Sequence, residues 1–193
     1  MEQFYTIQGE GKYSGHAAYF IRLAGCDVGC VWCDVKDSWD ASQHPTQTIE
    51  SLVQKANQNP AEIVVITGGE PAMYDLTALC SQLKESGKRV HIETSGAHPI
   101  RGDFDWVTFS PKKFKPPLPE AFQKAHELKV IVFNKSDLEW AQSLSKDVHN
   151  DCVLLLQPEW SKRDKMHDLV VDFVKRNPQW HISLQTHKYL GID

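Results

Sequence analysis

Short β-branched runs alternate along this chain with segments in which apolar residues recur every three or four positions. The apolar runs predict strands at 17–23, 62–67, 89–94, 106–110, 128–133, 152–157 and 180–185. The helical spacing predicts helices at 49–57, from Leu76 until Gly87, just after Pro119, and at 137–145 and 164–177. Residues 1–16 contain the turn-forming sequence Gln8-Gly-Glu-Gly11 and are predicted to be irregular.

This alternation of strands and helices predicts an α/β fold made of parallel βα units. Six or seven strands are too few for a closed eightfold barrel. We therefore expect a partial, open parallel (β/α) barrel with about six core strands, with a doubly wound sheet as the alternative. Composition does not shift along the 193 residues, and we expect one domain over 1–193.

The overall charge argues against several classes of partner. The formal net charge is −4, which gives no basic footprint for nucleic acid or anionic lipid. No apolar run is long enough to span a membrane, and the first ten residues lack the pattern of a signal peptide. We therefore expect a cytoplasmic protein with no nucleic-acid or membrane partner.

Three of the five cysteines lie within eight residues, as Cys26, Cys30 and Cys33 in the spacing C-x3-C-x2-C. In a reducing compartment such spacing favours metal or redox chemistry over disulfides. Zinc would need a fourth ligand such as His16 or His44. A redox pair formed by Cys30 and Cys33 would leave Cys26 without a role. In a 4Fe–4S cluster, three thiolates would leave the fourth iron open for another ligand.

Polar, glycine-rich or proline-rich segments follow four of the predicted strands directly. These segments are Thr67–Pro71, Glu93–Gly96, Ser110–Lys112 and Gln157–Pro158. Parallel strands carry their ligand site at the carboxyl edge of the sheet. Four such segments at one edge favour a shared binding site over ordinary polar loops.

The cysteine spacing, with Trp32 before the last cysteine, resembles that of radical S-adenosylmethionine (SAM) enzymes. Gly68-Gly69-Glu70-Pro71 resembles the glycine-rich motif of that superfamily, in which glycine permits close backbone approach to the cofactor. The resemblance implies a 4Fe–4S cluster whose open iron is chelated by SAM. It also implies radical chemistry without side-chain acid–base catalysis.

A narrower resemblance covers nearly the whole chain and points to the 7-carboxy-7-deazaguanine synthases. It rests on Gln8–Gly11, Phe20–Cys26, Val65–Pro71, Ile92–Gly96, Ser110–Lys112, Leu156–Pro158 and Gln185–Asp193. The resemblance implies a lyase that contracts 6-carboxy-5,6,7,8-tetrahydropterin to 7-carboxy-7-deazaguanine and ammonia, a step toward queuosine and other 7-deazapurines. It also implies a homodimer, assistance by Mg²⁺, and an electron donor such as flavodoxin or ferredoxin.

The same resemblance assigns residues to three groups. Cys26, Cys30 and Cys33 match the cluster ligands. The positions that match SAM contacts are Trp32, Gly69, Ser110, Pro111, Lys112, Gln157, Pro158, Glu159 and Trp160. The substrate set is Ile7, Gln8, Gly9, Arg22, Thr67 and, through its terminal carboxylate, Asp193. Glu93 is a further candidate, as an acceptor for the pterin's amino group, with a structural carboxylate that caps a loop as the alternative. A guanidinium at Arg22 suits bidentate binding of the substrate carboxylate, although a strand-end salt bridge is the plainer interpretation.

One position departs from the family pattern. Val35 stands two residues after the last cysteine, where the family commonly has a threonine whose hydroxyl coordinates magnesium. Asp34, Asp37, Ser38, a backbone carbonyl or water would have to replace that ligand. Two alternatives to the synthase remain at this stage: another small radical SAM enzyme, such as a glycyl-radical activase, and a non-catalytic zinc-binding module.

Overall fold

The computed structural model describes residues 2–192, and within them the strands form one sheet in the order β1 to β8. The strands are β1 Glu2–Ile7, β2 Ala17–Leu23, β3 Ile63–Gly68, β4 Arg89–Thr94, β5 Trp106–Phe109, β6 Glu127–Val132, β7 Val153–Pro158 and β8 Trp180–Ile182. Strand β1 is antiparallel to β2, and β2 to β8 run parallel. The predicted partial, open parallel barrel is confirmed, with β2–β7 as its six central strands.

Within residues 2–192, the first five α-helices lie between parallel strands and cover one face of the sheet, whereas the sixth follows the last strand. They are α1 Ile49–Asn57, α2 Thr77–Glu85, α3 Pro119–Lys124, α4 Ser136–Leu144, α5 Arg163–Arg176 and α6 Thr186–Leu190. Thr48 caps α1 because its hydroxyl accepts the Ser51 N–H. No helix in residues 2–192 has both the length and the apolar character that crossing a membrane requires.

Side chains alternate along each strand between the main core and the concave inner face of the sheet. Ile21, Ile66, Ile92, Leu128 and Leu156 are nearly fully buried and pack in one cluster with the helices. Successive side chains of a strand point to opposite faces. The neighbours of those core residues therefore face the concave side, and they include Arg22, Thr67, Glu93, Lys129 and Gln157. Several candidate site residues thus share a face because of strand periodicity.

The N-terminal segment differs from its prediction. Residues 2–7 are not irregular but form β1, which pairs with β2 over its full length. The rings of Phe4 and Phe20 stack with centroids 5.2 Å apart. Strand β1 is an edge strand with only partial burial, so its hydrophobic alternation is weak. At the other edge, β8 ends at Ile182, three residues before the predicted end.

His91 is buried on β4 and provides a pH-dependent contribution to stability. Its ring lies 4.6 Å from that of Tyr13 and is 3% exposed. Burial, assisted by the nearby charge of Arg89, lowers the His91 pKa from 6.5 to about 4. The unfolded chain therefore binds a proton that the folded chain excludes, and stability falls as the pH drops from 6.5 toward 4.

We expect this histidine to reduce the free energy of unfolding by about 2 kcal/mol between neutral pH and about pH 5. Chemical denaturation across that range would measure the loss. The matched variant is His91→Phe, which keeps an aromatic ring but has no proton to gain. Its stability should fall less steeply with acidification, and identical slopes for the two proteins would contradict the assignment.

Candidate active site

A cavity of about 270 Å³ lies on the concave side at the carboxyl ends of the parallel strands. It brings together most of the residues predicted for the site: Ile7, Gln8, Gly9, Arg22, Cys26, Cys30, Trp32, Cys33, Thr67, Gly69, Glu93, Ser110, Lys112, Gln157, Glu159 and Trp160. Pro111 and Pro158 do not line it, and Asp193 lies outside the described residues. The expectation of one shared site at this edge agrees with the geometry.

The loop after β2 carries the three cysteines and is held by backbone hydrogen bonds. Gly25 N–H donates to the Ser38 carbonyl at 2.6 Å, and Cys26 N–H donates to that of Trp39 at 3.2 Å. Within the loop, Cys33 N–H donates to the Cys30 carbonyl at 3.1 Å. These bonds fold the loop back on itself, so that its thiols line the cavity from one side.

The placement of the three thiols, rather than their pKa values in the absence of a metal, suits a multi-iron cluster. Burial raises the pKa of Cys26, and it raises that of Cys30 to about 11 although the Lys112 charge opposes the rise. Within residues 2–192, no three Cys, His, Asp or Glu side chains converge on a single ion. In a 4Fe–4S cluster each thiolate binds a different iron, so three thiols of one loop that line one cavity fit such a group.

The glycine-rich loop after β3 packs directly against the cysteine loop. Gly69 N–H donates to the Leu23 carbonyl and Glu70 N–H to the Gly25 carbonyl, both at 2.8 Å. A Cβ at Gly69 would lie 2.3 Å from the Gly25 oxygen and 3.1 Å from the Cβ of Cys26. Glycine is therefore required here for contact between two protein loops, as well as for the predicted approach of a cofactor.

Glu70 joins the ends of β3 and β4. Its side chain is 2% exposed, and its carboxylate accepts hydrogen bonds from Ala72 N–H at 3.0 Å and Ser95 N–H at 2.8 Å. The hydroxyls of Thr94 and Ser95 also donate to it, each at 2.5 Å. A buried carboxylate with four donors fixes the spacing of these loops.

The loops after β5 and β7 form the wall assigned to SAM. Lys112 Nζ donates to the Ser110 carbonyl at 2.5 Å and hydroxyl at 2.7 Å, and burial lowers its pKa. The Gln157 side-chain oxygen accepts from the Ser183 hydroxyl at 2.8 Å. The Glu159 carboxylate accepts the N–H and hydroxyl of Ser161. Gln157 and Glu159 thus have structural partners as well as positions on the cavity wall.

The described residues assigned to the substrate line the same cavity. Arg22 pairs with Glu2 at 2.6 Å, and its guanidinium lies 4.6 Å from the centre of the Phe4 ring. This salt bridge is partly exposed, so it is weak enough for a bound carboxylate to compete with Glu2. Gln8 donates its side-chain amide to Glu93 at 2.9 Å.

Sequence reasoning missed a buried ion pair inside the barrel. Glu10 follows β1 and accepts a hydrogen bond from Lys129 on β6, and both residues line the cavity. Burial alone would raise the Glu10 pKa, but the charge and hydrogen bond of Lys129, with donors from Gln185 and Gln157, lower it to about 2. The sequence signal that could have indicated this ion pair is the lysine within the apolar run Leu128–Phe133, because a buried lysine needs a partner of opposite charge.

The C-terminal helix α6 covers the cavity and contacts both walls. Thr186 N–H donates to the Gly9 carbonyl at 2.8 Å. Lys188 pairs with Asp34 of the cysteine loop at 2.6 Å, and the Tyr189 ring meets the Trp160 ring edge-on at 5.2 Å. Residues 186–189 are thus held against the rest of the chain by backbone and side-chain contacts.

The side chains around Val35 do not form a ready magnesium site. The Ser38 hydroxyl donates to the Val35 carbonyl at 2.6 Å, and Asp34 is paired with Lys188. Asp37 is exposed on the adjacent turn, Lys36–Trp39. Magnesium prefers six oxygen ligands and retains several waters, so this set of residues does not fit an all-protein magnesium site.

Comparisons with known proteins agree with this geometry. The sequence profile of the radical SAM superfamily matches residues 20–132, which include the cysteine loop and the glycine-rich loop. The chain therefore belongs to the radical SAM superfamily.

Full-length relatives narrow the family further. The chain is 53% identical to a 7-carboxy-7-deazaguanine synthase of Flavobacterium psychrophilum, over all of this chain and 91% of the relative. It is 36% identical to that of Escherichia coli, over 99% of this chain and 97% of the relative. The crystal structure of QueE from Escherichia coli superposes with a TM-score of 0.85 at 35% identity, covering 96% of this chain and 92% of that one. Within the superfamily, the chain belongs to the 7-carboxy-7-deazaguanine synthases.

Proposed function

We propose that this chain catalyses the reaction of its family, the radical ring contraction of 6-carboxy-5,6,7,8-tetrahydropterin to 7-carboxy-7-deazaguanine and ammonia. One observation carries the proposal: a single cavity is lined both by three thiols and by Arg22, Gln8 and Glu93. A redox cluster and a carboxylated heterocycle can therefore be held within reach of each other. The family membership excludes the zinc module and the glycyl-radical activase.

The protein's own part in this reaction is binding and exclusion of water. Cys26, Cys30 and Cys33 would hold the cluster, which together with SAM would supply radical chemistry able to remove a hydrogen atom from the substrate. Arg22 would bind the substrate carboxylate through its planar fork. At the pterin edge, the Glu93 carboxylate would accept hydrogen bonds, and the Gln8 amide could donate or accept them. Helix α6 would cover the cavity and limit the access of water to reactive species.

The direct test is an anaerobic assay of the purified, cluster-loaded chain with the carboxy-tetrahydropterin, SAM and a chemical reductant. We expect about four iron atoms per chain and a product with the mass of 7-carboxy-7-deazaguanine. A parallel reaction without SAM should form none. A fully loaded enzyme that leaves the pterin unchanged would reject the proposed function.

Magnesium is a separate proposal, in which the ion is held mainly by substrate and water because Val35 lacks a ligand oxygen. A chelator should then lower turnover, and the variant Val35→Thr, which restores a hydroxyl, should need about three- to tenfold less Mg²⁺ for half-maximal rate. A magnesium titration of both proteins measures this. Equal turnover with and without chelator would argue against any role for the ion.

The partners form the last part of the proposal. Five apolar side chains near the C-terminal edge are at least one-third exposed: Ile182, Leu184, Tyr189, Leu190 and Ile192. This patch supports the proposal of a homodimer.

Five free cysteines among the described residues support a reducing, cytoplasmic location, where a flavodoxin or ferredoxin would supply electrons. The continuous sheet supports the prediction of one domain over 1–193.

A further inference from the structure

Glu93 lies on the cavity wall between a hydrogen-bond donor and a cation. One oxygen, Oε1, accepts the side-chain amide of Gln8 at 2.9 Å. The other, Oε2, lies 3.8 Å from Nζ of Lys129. The side chain of Glu93 is 21% exposed, so part of the carboxylate remains open to the cavity. Gln8 and Lys129 together restrict its orientation from two sides.

Lys129 contacts two carboxylates at once. Its side chain is only 4% exposed, and its ammonium group also contacts Glu10, which reaches it from the loop after β1. The attraction of Glu10 and Glu93 raises the pKa of Lys129 although its burial acts in the opposite direction. Removing this cation would leave two carboxylates close together in a largely water-excluded space.

We propose that Lys129 is a positioning residue, whose ammonium group balances the charges of Glu10 and Glu93 and orients Glu93, so that Glu93 selects a ligand edge with paired N–H donors. This inference rests on the proposed function, in which that edge is the 2-amino-4-oxopyrimidine side of the pterin. Lys129 itself acts on the substrate only through Glu93.

The preference of Glu93 for paired N–H donors follows from the chemistry of a carboxylate. An ionised carboxylate offers acceptors only, and it can take two adjacent N–H groups with its two oxygens. A protonated carboxyl would present a hydrogen toward one of those N–H groups and lose that hydrogen bond. A ligand with an oxo group in place of the 2-amino group would bring an acceptor against an acceptor and be rejected.

Other charged groups surround this network, and any pH dependence must be interpreted with them. Burial raises the pKa of Glu127, which lies two residues before Lys129 on the same strand. Burial also lowers the pKa of Lys112 on the loop after β5 and that of His187 on α6, both of which sense the charge of Glu10. None of the three is hydrogen-bonded to Glu93 in residues 2–192, whereas Gln8 is.

The test measures affinity in the loaded holoenzyme with SAM and no reductant, so that the carboxy-tetrahydropterin binds without turnover. Calorimetric titrations would compare the wild type with Lys129→Met between about pH 6 and pH 8.5. We expect the variant to bind at least about tenfold more weakly near neutral pH and to recover affinity as the pH rises. The wild type should vary less over this range.

A double-mutant cycle separates positioning from general damage. Glu93→Gln alone should weaken binding at every pH, and adding Lys129→Met to it should weaken binding little further. Fully additive losses, or a loss in Lys129→Met that is equal at all pH values, would overturn the inference. Should Lys129→Met fold poorly, the pair Lys129→Met/Glu10→Gln removes one of the two carboxylates and carries the same pH test.

The outcomes also distinguish this inference from the proposed function. A wild type that does not bind the pterin at all would reject both. A wild type that binds and converts the pterin, combined with an additive cycle, would leave the function intact and reject only the role of Lys129.

Discussion

Replacing Gly69 by alanine is expected to lower product formation at least about 100-fold, because the added carbon displaces the loop that holds the cluster. That carbon would lie 2.3 Å from the carbonyl oxygen of Gly25 and 2.8 Å from its carbonyl carbon. Both are backbone atoms, so no side-chain rotation can relieve the contact. The loops must separate, and the hydrogen bond from Gly69 N–H to Leu23 would be lost with them.

Iron content, absorbance of the reconstituted protein and product yield would each report this displacement. Gly15→Ala is the matched control, since Gly15 has a φ of +89° but no neighbouring atom within 4 Å of an added carbon. It should lose about 1–2 kcal/mol of stability to backbone strain while keeping a full cluster. A Gly69→Ala protein with wild-type iron content and rate would show that this contact between loops is dispensable.

The placement of the site was predictable because it depends on local sequence and strand direction. Thr67–Pro71, Glu93–Gly96 and Ser110–Lys112 each follow an apolar run, and parallel strands bring such ends together. Alternation within a strand then determines which residue faces inward, as for Lys129 between the buried Leu128 and Val130. The main cavity walls therefore follow from simple periodicity.

The pairing of Glu10 with Lys129 could not be predicted in the same way. The two residues are 119 positions apart, and their contact depends on the loop after β1 crossing the concave face. Strand β1 itself was missed because an edge strand needs little burial and has a weak apolar pattern. Both features are set by tertiary pairing rather than local propensity.

Local and long-range contacts also support different parts of this cavity. The cysteine loop is supported by neighbours in sequence, including Ser38 and Trp39, and by the adjacent strand end. The substrate wall depends on contacts between the first ten residues and α6. A substitution that disturbs the cysteine loop should remove the cluster. A substitution that disturbs the contacts between the first ten residues and α6 should mainly affect substrate binding.

Replacing Gly9 by alanine tests the second case. The added carbon would lie 2.2 Å from Nδ1 and 2.8 Å from Cβ of His187, so α6 must move away from the loop after β1. The hydrogen bond from Thr186 N–H to the Gly9 carbonyl would weaken as a result. We expect the KM for the pterin to rise at least about tenfold, or roughly 1.4 kcal/mol, which is a larger change than any change in iron content or in affinity for SAM.

Steady-state kinetics under anaerobic conditions would give the KM, and calorimetry would give the affinity for SAM. The second variant Gly9→Ala/His187→Gly removes the three side-chain atoms that the new carbon would meet, and it should recover part of the lost affinity despite the cost of glycine in a short helix. Equal KM values for the wild type and Gly9→Ala would mean that α6 can shift without consequence. A double variant no better than the single one would mean that the clash with His187 is not the cause.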